Sequence, residues 1–250
     1  MNKIKIVKNE VVNNDFISVN EKIVIKPNNN LFIELEDRKD IVIEDNSNAV
    51  INEIITDTDD KNSYLIEIGN NSSLSIIKGY FSNGLDDNVK ILLNGENSSI
   101  DYKLICFNSG NTIYNIECSH LYPNSKSNIV CNGISIKDYS LKFNIVSEVK
   151  RGIKNCDINQ QSKIRTFGNG KCEANPILKI DEMDVIAHHA ASIGRFSDEE
   201  IFYLKSRGLN QRAAIKLLIG GFFNEIINEM NDDLKNKFLT LIDSGVKKIE

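Results

Sequence analysis

The chain has 250 residues, a formal net charge of −5, 41% hydrophobic and 26% charged residues, which allow one sizeable buried core and argue against wholesale disorder. An acidic balance with six arginines does not suit a nucleic-acid surface, which needs clustered Lys and Arg. No apolar run reaches the roughly 18 residues of a membrane span, and the opening MNKIKIVKNE lacks a signal peptide's apolar stretch. A soluble, cytoplasmic protein is expected.

From about Glu21 to Ile180 the chain reads as short β-rich segments, such as Ile23-Val24-Ile25, Ile41-Val42-Ile43 and Thr112 to Ile116, rich in β-branched residues at period 2. Polar clusters beginning at Asn46, Asn71, Asn97 and Asn124 recur every 25 to 27 residues between them. A second series near Asn62, Asn88 and Asn111 falls about midway. Asn and Ser suit tight corners because their side chains bond locally and Asn tolerates left-handed backbone. A β-solenoid needs turns that recur in register, since each coil buries its interior only against its neighbours. About six coils are expected between residues 20 and 180, with the four asparagine turns stacked on one edge. An antiparallel sandwich also gives short strands and polar turns and stays open on spacing alone.

Cys106, Cys118, Cys131, Cys156 and Cys172 include no CxxC pair and read as cytosolic thiols, not a disulfide framework. Three of them, Cys106, Cys131 and Cys156, repeat at 25 residues, which would set them near equivalent corners of successive coils. They could form a thiolate column, or a ladder of small, buried, inert side chains. The second is preferred.

His188 and His189 are adjacent, so on an extended segment they point opposite ways. On this alternation Val185 packs on the face opposite an exposed His189 only if a turn intervenes near Ala187. Helical patterns begin after residue 195. Ser197 with Glu200 forms a capping box, Gly208 is placed to end that helix, and Asn210 caps a longer one. On that helix Ala214, Leu217, Leu218, Gly221, Phe222 and Ile226 are expected to share a face. Gly220-Gly221 suggests a close approach or a break. A third helix starts at Asn231-Asp232, with Leu234, Phe238, Leu241 and Ile242 at helical spacing. The division expected is a β-helix core domain over 1–195 and a C-terminal helical subdomain over 196–250. Phe202, Tyr203 and Leu204 are consecutive, so one short helix cannot bury all three.

The run DEMDVIAHHAASIGRFSDEEIFYLKSRGLNQRAAIKLLIGGFF, residues 181 to 223, resembles the C-terminal signature of the SufB/SufD family of iron–sulfur cluster assembly scaffolds. The matching elements are Met183-Asp184-Val185, His189 with its small-residue run, Ser197 to Glu200, and Phe202 to Gly208. The resemblance implies a right-handed parallel β-helix, a short form without the family's N-terminal helical domain, and a scaffold rather than an enzyme. It implies a transient iron–sulfur cluster held at a dimer interface, homomeric or shared with a paralogue. His189 takes the family histidine's place as metal ligand, while His188 is taken as polar or structural. Cys172 lies near the position of the SufB thiol that precedes the strand proline, here Pro176, and is the second metal-ligand candidate. Ala190 stands where SufB carries Glu, so the ligand set leans toward SufD or a short ancestral-type scaffold acting as a homodimer. The helical block implies docking of SufC, an ABC-type ATPase, with Phe202, Tyr203 and Arg207 as the contact residues. That ATPase must be a separate chain, because no GxxxxGK[ST] loop occurs here. The competing classes are a polysaccharide-processing β-helix, with Asp57, Asp59 and Asp60 as its acidic cluster, and a metal-free binding adaptor.

Overall fold

A computed structural model describes residues 2–6, 11–35, 39–56, 61–247 and 249. The strands run Asn2–Ile6 (β1), Val12–Asn13 (β2), Ile17–Val19 (β3), Lys22–Ile25 (β4), Asn30–Leu35 (β5) and Asp40–Ile43 (β6). They continue with Asn48–Thr56 (β7), Lys61–Ile68 (β8), Ser73–Ser82 (β9), Leu85–Leu93 (β10), Ser99–Asn108 (β11) and Thr112–His120 (β12). The last are Lys126–Ile136 (β13), Leu141–Val149 (β14), Cys156–Phe167 (β15), Cys172–Ile180 (β16) and Val185–Arg195 (β17). Three helices follow: Asp198–Ser206 (α1), Gln211–Ile227 (α2) and Asp232–Val246 (α3).

The odd-numbered strands β1, β5, β7, β9, β11, β13, β15 and β17 form one sheet in that order. The even-numbered strands from β16 back to β4 form the other, extended by β3 and β2. All coil-to-coil pairs are parallel, whereas β2–β3–β4 is antiparallel and closes the N-terminal end of that sheet. The architecture is a β-solenoid, as the spacing predicts and unlike the sandwich, with about 7 turns over the chain against the six or so expected between residues 20 and 180.

The corners explain the asparagines. Asn28, Asn46, Asn71, Asn97, Asn124 and Asn155 all have φ between 50° and 62°, the left-handed region where Asn is tolerated best after Gly. Each corner N–H donates to a carbonyl of the next coil, for example Asn71 N to Glu96 O at 2.8 Å and Asn124 N to Lys154 O at 3.0 Å. The Asn97 amide also reaches Asn71 Oδ1 at 2.9 Å. Ser47, Ser72, Ser98 and Ser125, one residue on, are buried with their hydroxyls on backbone carbonyls at 2.7–2.8 Å. The sequence reading missed Asn28 and Asn155 because the first and last coils depart from the 25-residue period. The second asparagine series is not a row of corners. Asn62 and Asn88 lie within strands, and Asn88, Asn115, Asn144 and Asn175 stack as an outward amide ladder with N···O distances of 2.7–3.0 Å. Asp101, Asn128 and Asn159 form a second ladder, at 2.7 and 2.8 Å.

Inside the coils, inward residues alternate with outward ones and are overwhelmingly Ile, Leu, Val and Tyr. Charged side chains interrupt them: Lys78 Nζ lies 2.9 Å from Glu53 Oε2, both side chains 1–2% exposed, and buried Asp87 accepts from the Tyr80 hydroxyl at 2.9 Å. Lys78 also hydrogen-bonds the Tyr64 hydroxyl, which lies 3.2 Å from that of Tyr102.

Helices α2 and α3 cover the outer face of the odd-strand sheet. Ile54, Ile77, Ile105, Phe107 and Ile134 meet Ile215, Ile219, Phe223, Phe238 and Ile242 in one apolar cluster. The approach is close: a Cβ at Gly79 would lie 3.0 Å from the Phe238 ring. The buried stripe of α2 is Ala214, Ile215, Ile219, Phe223, Ile226 and Ile227, rotated from the expected face, and Leu217 is 55% exposed. An apolar residue on nearly every position of α2 left the helical period ambiguous, and only the sheet beneath it decides which stripe is covered. The helix runs unbroken through Gly220 and Gly221, and a Cβ at either would meet nothing within 4 Å. Neither a break nor a close approach explains them.

The corners make a stability prediction. Asn97→Ala places an ordinary side chain at φ 57° and loses the amide ladder; it should destabilise the chain by about 1–2 kcal/mol in urea unfolding. Asn97→Gly keeps the backbone conformation available and should cost clearly less.

Candidate functional site

The solenoid's C-terminal end carries the candidate residues. Strand β17 pairs with β15 in register, Cys156 with Val185 through Thr166 with Arg195. Because paired residues of parallel strands face the same side, His189 shares the inward row of buried Gln160, and His188 the outward row of Asn159. The strand is continuous from Val185 to Arg195. No turn intervenes near Ala187, so Val185, Ala187 and His189 lie on one face. Val185 and Ala187 pack against the buried cluster of Val149, Cys156 and Ile158. His189 is exposed because no further coil covers its row. Ile177, Ile186 and Ile193, at 44%, 60% and 49% exposure, add apolar surface to the same end.

Cys172 opens β16, in register with Leu141, and faces inward against the core. Burial raises its thiol pKa, while hydrogen bonds with the Leu141 backbone and the Ser135 hydroxyl pull the other way. Ser135 is in register with Thr166 and therefore with Arg195, six residues beyond His189. At about 3.3 Å per residue, Cys172 and His189 of one chain stand about 20 Å apart. The register across the coil agrees, since Gln160 Nε2 reaches Ser147 Oγ, level with Leu178, six residues from Cys172. One chain does not bring the two together. Among the described residues, no three His, Cys, Asp or Glu side chains converge as a metal site.

The other four thiols are buried. Burial pushes Cys106 and Cys118 up to about 12 and raises Cys131 further, so these are protonated and inert. They form no column. Cys106 pairs with Gly133 and Cys131 with Leu104 and Ser162, because the coils lengthen past the 25-residue spacing. Asp57, Asp59 and Asp60 lie outside the described residues. His120 is buried, with ring nitrogens 2.8 Å from Ser125 Oγ and 2.9 Å from Ser127 Oγ. Burial pushes its pKa down to about 4.

Helix α1 buries none of its residues. Phe202 and Tyr203 are 73% and 56% exposed, and the Arg207 guanidinium sits 5.3 Å from the Tyr203 ring centroid. The full capping box at Ser197 and Glu200 fixes this helix although little of it is packed. Beside it, α2 and α3 leave an apolar groove of about 550 Å³ floored by Gly220 and Gly221 and lined by Leu217, Ile227 and Leu239. The sequence reading missed this groove and the buried polar row beneath His189, namely Ser147, Gln160 and Ser162. Its signal was a Gln and a Ser at inward positions of an alternating strand.

Two outcomes follow from these environments. Native chain should yield one slowly titrating thiol with a disulfide reagent, abolished by Cys172→Ser, and five thiols after denaturation. His120 is neutral in the fold to about pH 4 but takes up a proton near 6.5 when unfolded. Its contribution, up to about 3 kcal/mol, is full above 6.5 and is lost as pH falls toward 4. Urea midpoints measured between pH 7 and 4.5 should fall less steeply in His120→Gln than in the parent.

Comparison with known proteins bears on the same region. Residues 38–222 match the family model of the SUF system FeS cluster assembly SufBD core domain. The chain is 31% identical over 159 residues to the iron–sulfur cluster assembly protein SufD of Bacillus subtilis, covering 62% of this chain and 36% of that protein. It is also 31% identical over 171 residues to SufD of Escherichia coli, covering 63% and 38%. A third relative, the SufBD family protein ycf24 of Antithamnion, is 34% identical over 121 residues, 44% of this chain and 38% of that protein. The matches thus span under two fifths of these relatives' own length. With an in-register parallel solenoid, a terminal strand bearing His189 and a family match over most of its length, the chain belongs to the SufB/SufD family of the SUF iron–sulfur cluster assembly system.

Proposed function

We propose that this chain is a scaffold of SUF-type iron–sulfur cluster assembly that works as a dimer and binds a SufC-type ABC ATPase. The observation that carries the reading is His189 on the uncovered last coil of a SufBD core domain. Strands β16 and β17 end their sheets, and a sheet edge offers unpaired N–H and C=O groups to another chain. Exposed Ile177, Ile186 and Ile193 add the apolar contact a stable seam requires. The nascent cluster is the cargo. His189 contributes an imidazole to it, and because His189 and Cys172 of one chain stand apart, a mixed ligand set draws on the second subunit: thiolate suits iron and sulfide, and imidazole completes an iron's coordination.

The ATPase docks on α1, where Phe202, Tyr203 and Arg207 provide the aromatic and guanidinium anchors that typically dominate interfaces. These side chains are displayed on a helix distinct from the seam, so docking and cluster handling are separable. The chain carries no chemistry of its own beyond holding and releasing cargo.

Anaerobic reconstitution with ferrous iron and sulfide tests the cargo role. His189→Ala should lose most of the charge-transfer absorption while His188→Ala retains it; equal yields from His189→Ala and the parent would leave His189 purely structural. Co-purification with the ABC ATPase tests docking. The joint change Tyr203→Ala with Arg207→Ala should weaken binding about tenfold or more with the solenoid's thermal unfolding unchanged. Unaltered binding would make α1 a simple cap.

A further inference from the structure

The inward row that ends at His189 can be followed through Ile51, Ile76, Tyr102, Ile129 and Gln160. The row is apolar or aromatic until its last covered position, where an amide appears. Gln160 is 0% exposed. Its Nε2 donates to Ser147 Oγ at 2.7 Å and to the Ile177 carbonyl at 3.3 Å. A carbonyl only accepts, so the amide cannot be turned end for end. Its Oε1 is therefore fixed as an acceptor, and it is buried with no hydrogen-bond partner among the described residues. A buried acceptor in that condition is rare and calls for a donor.

The register partner of Gln160 is His189. Elsewhere in this solenoid, polar side chains in register bridge neighbouring coils. In both amide ladders the nitrogen of the later strand donates to the oxygen of the earlier one, at 2.7–3.0 Å. His189 occupies the later strand and Gln160 the earlier. The exposed imidazole can turn about its side-chain torsions, and a turn that aims a ring N–H inward points it toward the row of Gln160.

We propose that Gln160 is the positioning residue of His189. Its Oε1 accepts a hydrogen bond from one ring N–H and holds the imidazole in a single neutral tautomer. The opposite nitrogen then presents its lone pair at the open end of the solenoid. A histidine ligand fixed through its second nitrogen binds metal more tightly and in a defined direction. Ser147 completes the arrangement by anchoring the amide from the far side of the coil. The role in cluster assembly rests on the reading of His189 as a ligand; the hydrogen bond does not.

The full-length chain labelled with 15N-histidine tests the bond directly. It has three histidines, and long-range 1H–15N spectra at about pH 8, above the ordinary imidazole range, report each tautomer. His189 should show one tautomer in the parent chain and a mixture in Gln160→Met, which keeps the bulk and removes the acceptor. Gln160→Glu, which restores an acceptor oxygen, should restore the single tautomer. His120, held between Ser125 and Ser127, should not change in either variant and reports that the solenoid is intact. An unchanged His189 tautomer ratio in folded Gln160→Met would overturn the proposal. If that variant does not fold, Gln160→Glu decides: the His189 ring N–H resonance should move downfield, and an unmoved resonance overturns the bond. Reconstitution with ferrous iron and sulfide separates the two layers. Gln160→Met should lower cluster affinity about tenfold. A locked tautomer with undiminished cluster yield in His189→Ala would remove the ligand reading and leave the bond standing. The reverse pattern, with cluster lost in His189→Ala but a tautomer indifferent to Gln160, would remove the positioning role alone.

Discussion

In-register stacking of parallel coils governs this molecule. A shift of one residue in any coil would turn every inward side chain outward, so the register must be pinned at each repeat. The left-handed asparagine corners do this from one edge, through N–H donation to the next coil and buried serine hydroxyls on backbone carbonyls. The outward amide ladders do it from the faces. Everything at the C-terminal end inherits that register. His189 faces inward and His188 outward because Gln160 and Asn159 beneath them do.

The two ends and the two outer faces of the solenoid then acquire different roles. The N-terminal end of the even-strand sheet closes on an antiparallel turn. The outer face of the odd-strand sheet closes under α2 and α3. The C-terminal coil, with its sheet edges, exposed isoleucines and His189, stays uncovered, as does α1. These are the two places assigned above to a second subunit and to the ATPase.

The interior is less uniform than its hydrophobic pattern implies. The Glu53–Lys78 pair and the Tyr64–Tyr102 hydroxyl contact place charge and polar groups inside a largely apolar stack. Burial raises both tyrosines well above their ordinary range, so they remain neutral donors beside the ion pair. Such a pair gives little net stability but is costly to break on one side. Nearer the C-terminal end the interior turns polar again at Ser147, Gln160 and Ser162, where Gln160 Oε1 is buried without a hydrogen-bond partner among the described residues.

The sequence by itself determined the repeat, because corner geometry demands a residue type that tolerates positive φ and recurs with the coil. It also determined the capping residues of all three helices, since Ser197, Asn210 and Asn231 act on N–H groups three residues away. The motif around His189 carried the family. What only the tertiary structure decided depends on contacts distant in the chain. The stripe of α2 that is buried was set by the sheet beneath it. The apparent 25-residue cysteine column dissolved because later coils are longer, a change invisible until the strands are paired. The continuous path of β17 placed Val185 and His189 on one face. The separation of Cys172 from His189 follows from the chain path: β16 runs the length of the sheet away from Cys172 before β17 returns, and His189 lies mid-strand, six residues short of the level of Cys172.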